Sequence, residues 1–418
     1  MRKKNLTGKS RSNTKHKILE VLLGHKLIGT LTWFEGDDHI FEVDPKYDWD
    51  NGDAVMTLSM KEHHGGMSRS NIVSHVRIPP FFSNLLPEGF LRDYLAAQAS
   101  VKPQREFQLL DALKDDLPGA IVLRPLEDGK KIAAQPSRIF GADYDDEDEP
   151  QVLRFSLAGI QLKFSAVLES SGGLTIPANG VGGSFIVKLP STRFQNVPQN
   201  EYSMMMLARQ LGIRTADVEL RSTHHIAGLP PDLPENFGDS LIVKRFDRVG
   251  TERVHMEDFA QVYGLYSNEK YSRVSYGGIA SVIFKEAGAE QLQEYVRRLT
   301  YTLLIGNADM HLKNWSLLYQ DPQQPILSPA YDFISTIQYL PDPNLALSIA
   351  KEKSMSAIEE SHFRKMAVKA QLPENLVVRT MKETVSNFRE VWPKLKTELP
   401  LEPSLVETIE RHQAQLRI

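Results

Sequence analysis

The stretch from Ile305 to Leu318 places an Asp, a Lys and an Asn in the order D-x-x-x-K-N: Asp309, Lys313 and Asn314. A second acidic residue, Asp332, follows within Pro329-Ala330-Tyr331-Asp332-Phe333-Ile334, where aromatic residues flank it. Carboxylate and carboxamide oxygens are hard donors suited to Mg²⁺, which takes few protein ligands and leaves its other sites to water and phosphate oxygens. A carboxylate beside such a pair can orient a hydroxyl and accept its proton. Either residue of the loop alone would most often be a cap or a turn former. Together with Asp332 they point to phosphoryl transfer.

Asp309 and Asn314 have the five-residue separation of the catalytic Asp and metal-binding Asn of protein-kinase loops. Asp332 matches the Asp of an Asp-Phe-Gly motif, with Ile334 in place of the glycine, and Lys313 can add charge stabilisation. The residues upstream must then hold ATP. Ser184 to Pro190 reads as a strand with a single cation, Lys188, among apolar neighbours. A buried lysine is costly unless paired, and Glu201, on a helix expected from Gln199 to Leu211, is an available partner. A strand lysine held by a helix glutamate and touching the α/β-phosphates is the kinase arrangement. Phe155 to Lys163 reads as a strand–turn–strand whose small residues let backbone N–H groups approach phosphate. Leu241 to Arg248 links the two halves, and backbone groups near Lys244 and Phe246 are placed to meet an adenine edge. Asp247 and Arg248 are assigned structural pairing.

Several other patterns carry nothing. Gly8-Lys9-Ser10 lacks the earlier glycine and the preceding strand of a Walker A loop. Gly180-Val181-Gly182-Gly183-Ser184-Phe185 fails the dinucleotide fingerprint at its last position. His63-His64 and His224-His225 are adjacent pairs that do not share a helix face.

The elements that position these residues fall into blocks. Short alternating runs between Lys17 and Met60 predict a meandering antiparallel sheet, and helices are expected over Leu85–Ala97 and Arg105–Lys114. The acidic run Asp143 to Glu149 reads as an exposed connector. Strands are expected over Leu153–Ser156, Gln161–Leu168, Ser184–Leu189, Val218–Arg221 and Ser240–Arg245. Helical spacing follows over Gln291–Ile305, Ser361–Ala370 and Leu376–Leu395. The expected fold class is α+β and kinase-like: a β-rich N-lobe and an all-helical C-lobe, preceded by a small β-rich domain. The expected divisions are a basic tail over 1–17, an N-terminal domain over 18–142, a linker over 143–150, an N-lobe over 151–250 and a C-lobe over 251–418.

Bulk properties narrow the function. The chain of 418 residues has no cysteine, which excludes disulfides, thiol catalysis and thiolate zinc sites and fits a reducing cytoplasm. A formal net charge of −4 gives no global attraction to nucleic acid or an anionic membrane. The basic start (Arg2, Lys3, Lys4, Lys9) precedes no long apolar segment, so it reads as a solvated tail rather than a leader.

Taken jointly, Ser156-Leu-Ala-Gly-Ile-Gln-Leu-Lys163, Phe185-Ile-Val-Lys188-Leu-Pro190, Asn200-Glu201-Tyr202, Lys244-Arg-Phe-Asp-Arg248, Glu257-Asp258, Asn307-Ala-Asp309-Met-His-Leu-Lys-Asn314 and Tyr331-Asp332 resemble the HipA family of kinase toxins. Phe82-Ser-Asn-Leu-Leu-Pro-Glu88-Gly89 resembles the signature of that family's N-terminal domain. The resemblance implies a bacterial, cytoplasmic protein kinase of a type II toxin–antitoxin module that uses ATP and Mg²⁺. Its implied substrate is a protein serine or threonine, with aminoacyl-tRNA synthetases as the family's known class. It implies Asp309 as catalytic base, Asn314 and Asp332 as Mg²⁺ ligands, and Lys188 on the phosphates. The nucleotide set is Leu157, Ala158, Gly159, Ile160, Gln161, Lys163, Lys188, Glu201, Lys244, Phe246 and His311. Ser156 corresponds to the autophosphorylation site, where added charge beside ATP would shut the enzyme off. Ile160 and Lys244 depart from the family's pattern and bear on nucleotide affinity. DNA contact is expected only through a separate HipB-like helix-turn-helix antitoxin. Two other readings compete: a kinase-shaped corepressor that acts by docking on a DNA-bound partner, and a small-molecule phosphotransferase.

Overall fold

The computed structural model describes residues 16–62, 66–126, 163–168, 174–176, 183–229, 237–340 and 344–418. The basic start of the chain, the His63-His64 pair, the acidic run Asp143 to Glu149 and the Gly180-Val181-Gly182 stretch lie outside these residues.

Alternation of apolar and polar residues builds the first sheet as expected. Strands β1 (His16–Leu23), β2 (Lys26–Phe34), β3 (Asp38–Val43), β4 (Ile72–His75) and β5 (Ile121–Pro125) pair antiparallel in the order β4-β3-β2-β1-β5. Period two sends Leu19, Val21, Leu31 and Phe41 into a core with Phe81 and Phe82 of α1 (Pro80–Ser83). Helices α2 (Gly89–Gln98) and α3 (Glu106–Ala112) complete the unit. The helix expected from Leu85 starts only at Gly89. Leu86 precedes Pro87, whose ring disfavours helical backbone at the residue before it.

The second sheet contains β6 (Lys163–Leu168), β7 (Leu174–Thr175), β8 (Phe185–Lys188), β9 (Val218–Ser222), β10 (Ile226–Ala227) and β11 (Asp239–Lys244), ordered β10-β7-β6-β8-β11-β9. Helix α4 (Val197–Gln210) lies against β9 and β11, burying Met204, Met205 and Leu207. A small hairpin, β12 (Arg248–Val249) with β13 (Glu252–Arg253), follows.

The remaining part is helical in its bulk: α5 (Phe259–Val262), α6 (Tyr276–Leu304), α7 (Glu360–Lys369), α8 (Glu374–Glu398) and α9 (Pro403–Gln413). The expectation of an all-helical C-lobe is corrected in one respect. Strands β14 (His255–Asp258), β15 (Ser316–Tyr319) and β16 (Ile326–Leu327) form a sheet, and β17 (Asn344–Ile349) pairs with β18 (Glu352–Ser354). All four residues of β15 are buried, so its sequence has no alternation to announce a strand. Helix α6 also begins well before Gln291, and Gly288 (φ 84°) kinks it.

The first unit and the C-lobe share one hydrophobic core. Its polar seam is specific. Gln261 donates to the Phe81 carbonyl at 3.0 Å and Asn84 to the Leu265 carbonyl at 2.7 Å. Gly119 (φ 70°) meets the β14 backbone so closely that a Cβ would sit 2.9 Å from the Met256 nitrogen, a place only glycine can fill. Glu257 is fully buried in this seam and accepts from the Thr57 hydroxyl (2.7 Å), the Leu58 N–H (3.1 Å) and the Tyr319 hydroxyl (2.6 Å).

Burial pushes the Glu257 carboxyl up to about 7, against the pull of those three donors. Below the ordinary value of 4.5 both folded and unfolded chains hold the proton; between 4.5 and about 7 only the folded chain does. The stabilisation is therefore complete at low pH and is lost as pH rises through 7, by roughly 3 kcal/mol. Urea midpoints at pH 5 and pH 8 check this: Glu257→Gln should remove most of the pH-dependent difference that the wild type shows in this window. Parallel behaviour of the two proteins would rule it out.

Candidate active site

The catalytic loop starts where α6 stops. Gly306 (φ 65°) turns the chain, and a Cβ there would lie 2.7 Å from the Ile337 side chain, so this turn requires glycine. Thr336 accepts the Ala308 N–H at 2.7 Å and donates to the Gly306 carbonyl at 3.2 Å. Asn307 accepts the Asp309 N–H at 3.0 Å and donates to the Asp332 carbonyl at 3.3 Å, joining the two acidic motifs. The Asp309 carbonyl accepts the His311 N–H and the Asn314 carboxamide, both at 2.8 Å. The backbone of Asp309 is thus fixed on both sides.

The Asp309 side chain is buried and accepts the Tyr271 hydroxyl at 2.5 Å. Burial pushes its carboxyl up to about 6. The Tyr271 hydrogen bond, Lys270 and Lys163 oppose that rise, while the like charge of Asp332 adds to it. A carboxylate in this range is a stronger base than an exposed one.

A charge problem in the second sheet organises the other half of the site. Lys163 on β6 and Lys188 on β8 are direct cross-strand partners, an arrangement that repels unless anions intervene. Lys188 donates to Glu201 of α4 and to Asp332, while Lys163 reaches the second Asp332 oxygen at 3.4 Å. Burial alone would depress the Lys188 ammonium, but Asp332 and Glu201 outweigh it and hold the group well above the lysine range. Burial likewise opposes ionisation of Asp332, yet Lys163 and Lys188 keep it well below the usual carboxylate range. Burial wins at Glu201, which is raised despite Lys188. Asp332 itself adopts φ 57°, a left-handed conformation that Asp tolerates better than most residues.

Asn314 donates its amide nitrogen to the Asp309 carbonyl, and its side-chain oxygen is an acceptor. His311 is buried edge-to-face against Tyr271 (5.1 Å), and neither ring nitrogen has a hydrogen-bond partner among the described residues. Burial and then Lys270 hold its pKa well below the ordinary value, so the ring is neutral. In the link, the Lys244 N–H is committed to the Asp217 carbonyl at 2.8 Å, and Phe246 packs on Tyr331 at 5.7 Å. Asp247 and Arg248 do pair structurally. Arg245 grips Asp247 bidentately (3.0 and 2.8 Å), and Arg248 reaches Asp247 (2.7 Å) and the Leu117 carbonyl (2.8 Å).

The Lys313 ammonium binds the Asn84 carbonyl and carboxamide oxygens (both 3.1 Å), Glu88 (3.0 Å) and Asp258 (3.6 Å). These contacts join the Asp309 loop to the N-terminal unit. Ser156, Leu157, Ala158, Gly159, Ile160 and Gln161 lie outside the described residues. Among the described residues no cluster of three or more His, Asp or Glu side chains is arranged for a metal. Both Asp332 oxygens are instead engaged by lysines, Oδ1 by Lys188 and Oδ2 by Lys163. The residues unforeseen in the sequence are Tyr271 and Lys270. No motif surrounds them, and only their contacts with Asp309 and Glu88 give them meaning.

Comparison with known proteins agrees with this geometry. The model of the HipA N-terminal domain matches residues 19–124, and that of the HipA-like C-terminal domain matches residues 155–392. The Sinorhizobium fredii protein Y4dM, provisionally named a kinase, is 43% identical over 94% of this chain and 96% of its own. The serine/threonine-protein kinase toxin HipA of Shewanella oneidensis is 27% identical over 88% of this chain and 87% of its own. The solved complex of Shewanella oneidensis HipA, HipB and operator DNA contains a chain of the same fold, with a TM-score of 0.70 at 23% identity over 95% of both chains.

The lysine–carboxylate triad makes a stability prediction. Lys188→Met strands Glu201 in a buried position and should cost about 3 kcal/mol in urea unfolding. Glu201→Gln should cost less, because Asp332 still neutralises Lys188. The double variant Lys188→Met/Glu201→Gln should recover part of the loss, since no charge is then stranded. A double variant less stable than Lys188→Met would contradict this.

Proposed function

The chain belongs to the HipA family of kinases, and from that premise we propose that it is an ATP-dependent protein kinase acting on serine or threonine of a cytoplasmic protein. The observation that carries the reading is the Lys188–Glu201–Asp332 triad set beside the buried carboxyl of Asp309. Asp309 orients the acceptor hydroxyl and takes its proton. The hydroxyl oxygen bonds to the γ-phosphorus as the bond to the ADP oxygen breaks, and ADP leaves with that electron pair. Lys188 and Lys163 exchange the Asp332 oxygens for phosphate oxygens, a like-for-like replacement of anionic acceptors. The unpaired ring nitrogens of His311 supply the nucleotide pocket with polar partners.

Asp332 and Asn314 would hold Mg²⁺, whose chemistry is to neutralise charge on the phosphate oxygens. On the sequence resemblance, residues 157–161 belong to the proposed nucleotide set and phosphate on Ser156 is the proposed off-switch. The likeness to the serine/threonine-protein kinase toxin HipA of Shewanella oneidensis supports a toxin role; the substrate class proposed, on the sequence resemblance alone, is an aminoacyl-tRNA synthetase. The solved complex of that toxin with HipB and DNA supports a HipB-like partner that carries the DNA contact. No described helix is long and apolar enough to cross a membrane.

Incubation with Mg-ATP and a bacterial lysate, followed by phosphosite mapping, tests this. Wild type should label a lysate protein and Ser156. Asp309→Gln should lose transfer by at least about 100-fold while still binding nucleotide. Ser156→Ala should keep labelling the lysate protein, and Asp332→Ala should lose Mg²⁺-dependent nucleotide binding. ATP binding by wild type without phosphate on any protein would overturn the kinase assignment.

A further inference from the structure

Glu88 reaches the catalytic loop from the N-terminal unit. One oxygen accepts from Lys270 at 2.6 Å and the other from Lys313 at 3.0 Å. Each lysine adjoins in sequence a residue that holds Asp309. Lys270 precedes Tyr271, whose hydroxyl holds the Asp309 carboxyl at 2.5 Å, and the Lys270 ammonium lies 5.6 Å from the Tyr271 ring centre. Lys313 precedes Asn314, whose amide holds the Asp309 carbonyl at 2.8 Å. The Leu312 N–H donates to the Lys270 carbonyl at 3.2 Å and closes the ring. One carboxylate thus cross-links both segments that fix the base. The nearby lysines hold Glu88 ionised despite its burial.

We infer that Glu88 is a positioning residue for phosphoryl transfer, so that the N-terminal unit completes the active site rather than merely adjoining it. The inference rests on the kinase reading above. A seam that only held the two units together would act on stability and would treat Glu88 like any other cross-unit ion pair. Lys61–Glu286 (2.6 Å) is such a pair, built from residues with no part in the site.

The test uses the full chain and γ-labelled ATP, with a fixed bacterial lysate as acceptor and ATP concentration varied. Glu88→Gln should lower the saturating rate about 10- to 100-fold, with the ATP concentration at half-maximal rate changed less than about threefold. Glu88→Asp should recover most of the rate, because two flexible lysines can follow a carboxylate one methylene shorter. This variant also provides the comparison if Glu88→Gln weakens folding. Lys61→Ala should match wild type. Glu88→Gln combined with Tyr271→Phe should lose little more than the worse single change, since both act by holding Asp309. An unchanged saturating rate, an equal loss in Lys61→Ala, or additive losses in the double variant would each overturn the inference. Absence of transfer in wild type would instead overturn the kinase reading itself.

Discussion

Keeping one ammonium charged inside the protein is the constraint on which the rest of the site depends. Lys188 sits in a central strand with Lys163 directly opposite, so the sheet has two like charges in register. Without a partner, the buried Lys188 would be costly to keep charged. Glu201 from the helix and Asp332 from the C-lobe resolve this, and in doing so they fix the position of α4 and tie the lobes together. Such a buried network contributes little net stability against an apolar substitute of the same shape. Its value here lies in geometry, because a lysine held between two carboxylates has a fixed position, which the proposed kinase reading uses for phosphate oxygens.

The N-terminal unit meets a similar demand at two further places. Arg245, Asp247 and Arg248 of the link form a buried cluster with Asp116, and the Gly119 N–H donates to Asp247 at 2.8 Å. The strand leaving the N-lobe is therefore anchored on the first unit as firmly as on its own sheet. Asn84 and Glu88 do the same for the catalytic loop. The link and the Asp309 loop both rest on the first unit.

The chemistry was largely legible in the sequence because it demands particular residue types at fixed separations. Asp309, Asn314 and Asp332 are singled out by that alone, and the Lys188–Glu201 pairing, which the structure contains, follows from the cost of a lysine in an apolar strand. Lys313 shows where spacing stops informing. It lies in a short 3₁₀ turn with Asn314, where successive side chains diverge, and sequence proximity does not say which one faces the base. Tyr271 and Glu88 gain their roles from contacts across long stretches of chain, which leave no local pattern. Strand β15 and the first half of α6 were hidden for local reasons. A fully buried strand has no alternation, and Gly277, Gly278 and Gly288 weaken a helical signal.

Asp309 lies between two clusters of the same make-up. On one flank are Lys163, Lys188, Asp332 and Glu201; on the other are Lys270, Lys313, Glu88 and Asp258. Each has two lysines and two carboxylates, formally neutral when all are ionised. Excess cations on either side would depress the Asp309 carboxyl and make it a poor base; excess anions would leave it protonated at neutral pH. Burial is the largest influence on Asp309, and it moves the group to about 6 against Lys270 and Lys163, basic enough to take a proton yet ionised at neutral pH. One lysine of each cluster, Lys163 and Lys270, thus pulls on the Asp309 carboxyl in the same direction. A change that removes a charge from either cluster acts on the base without touching it.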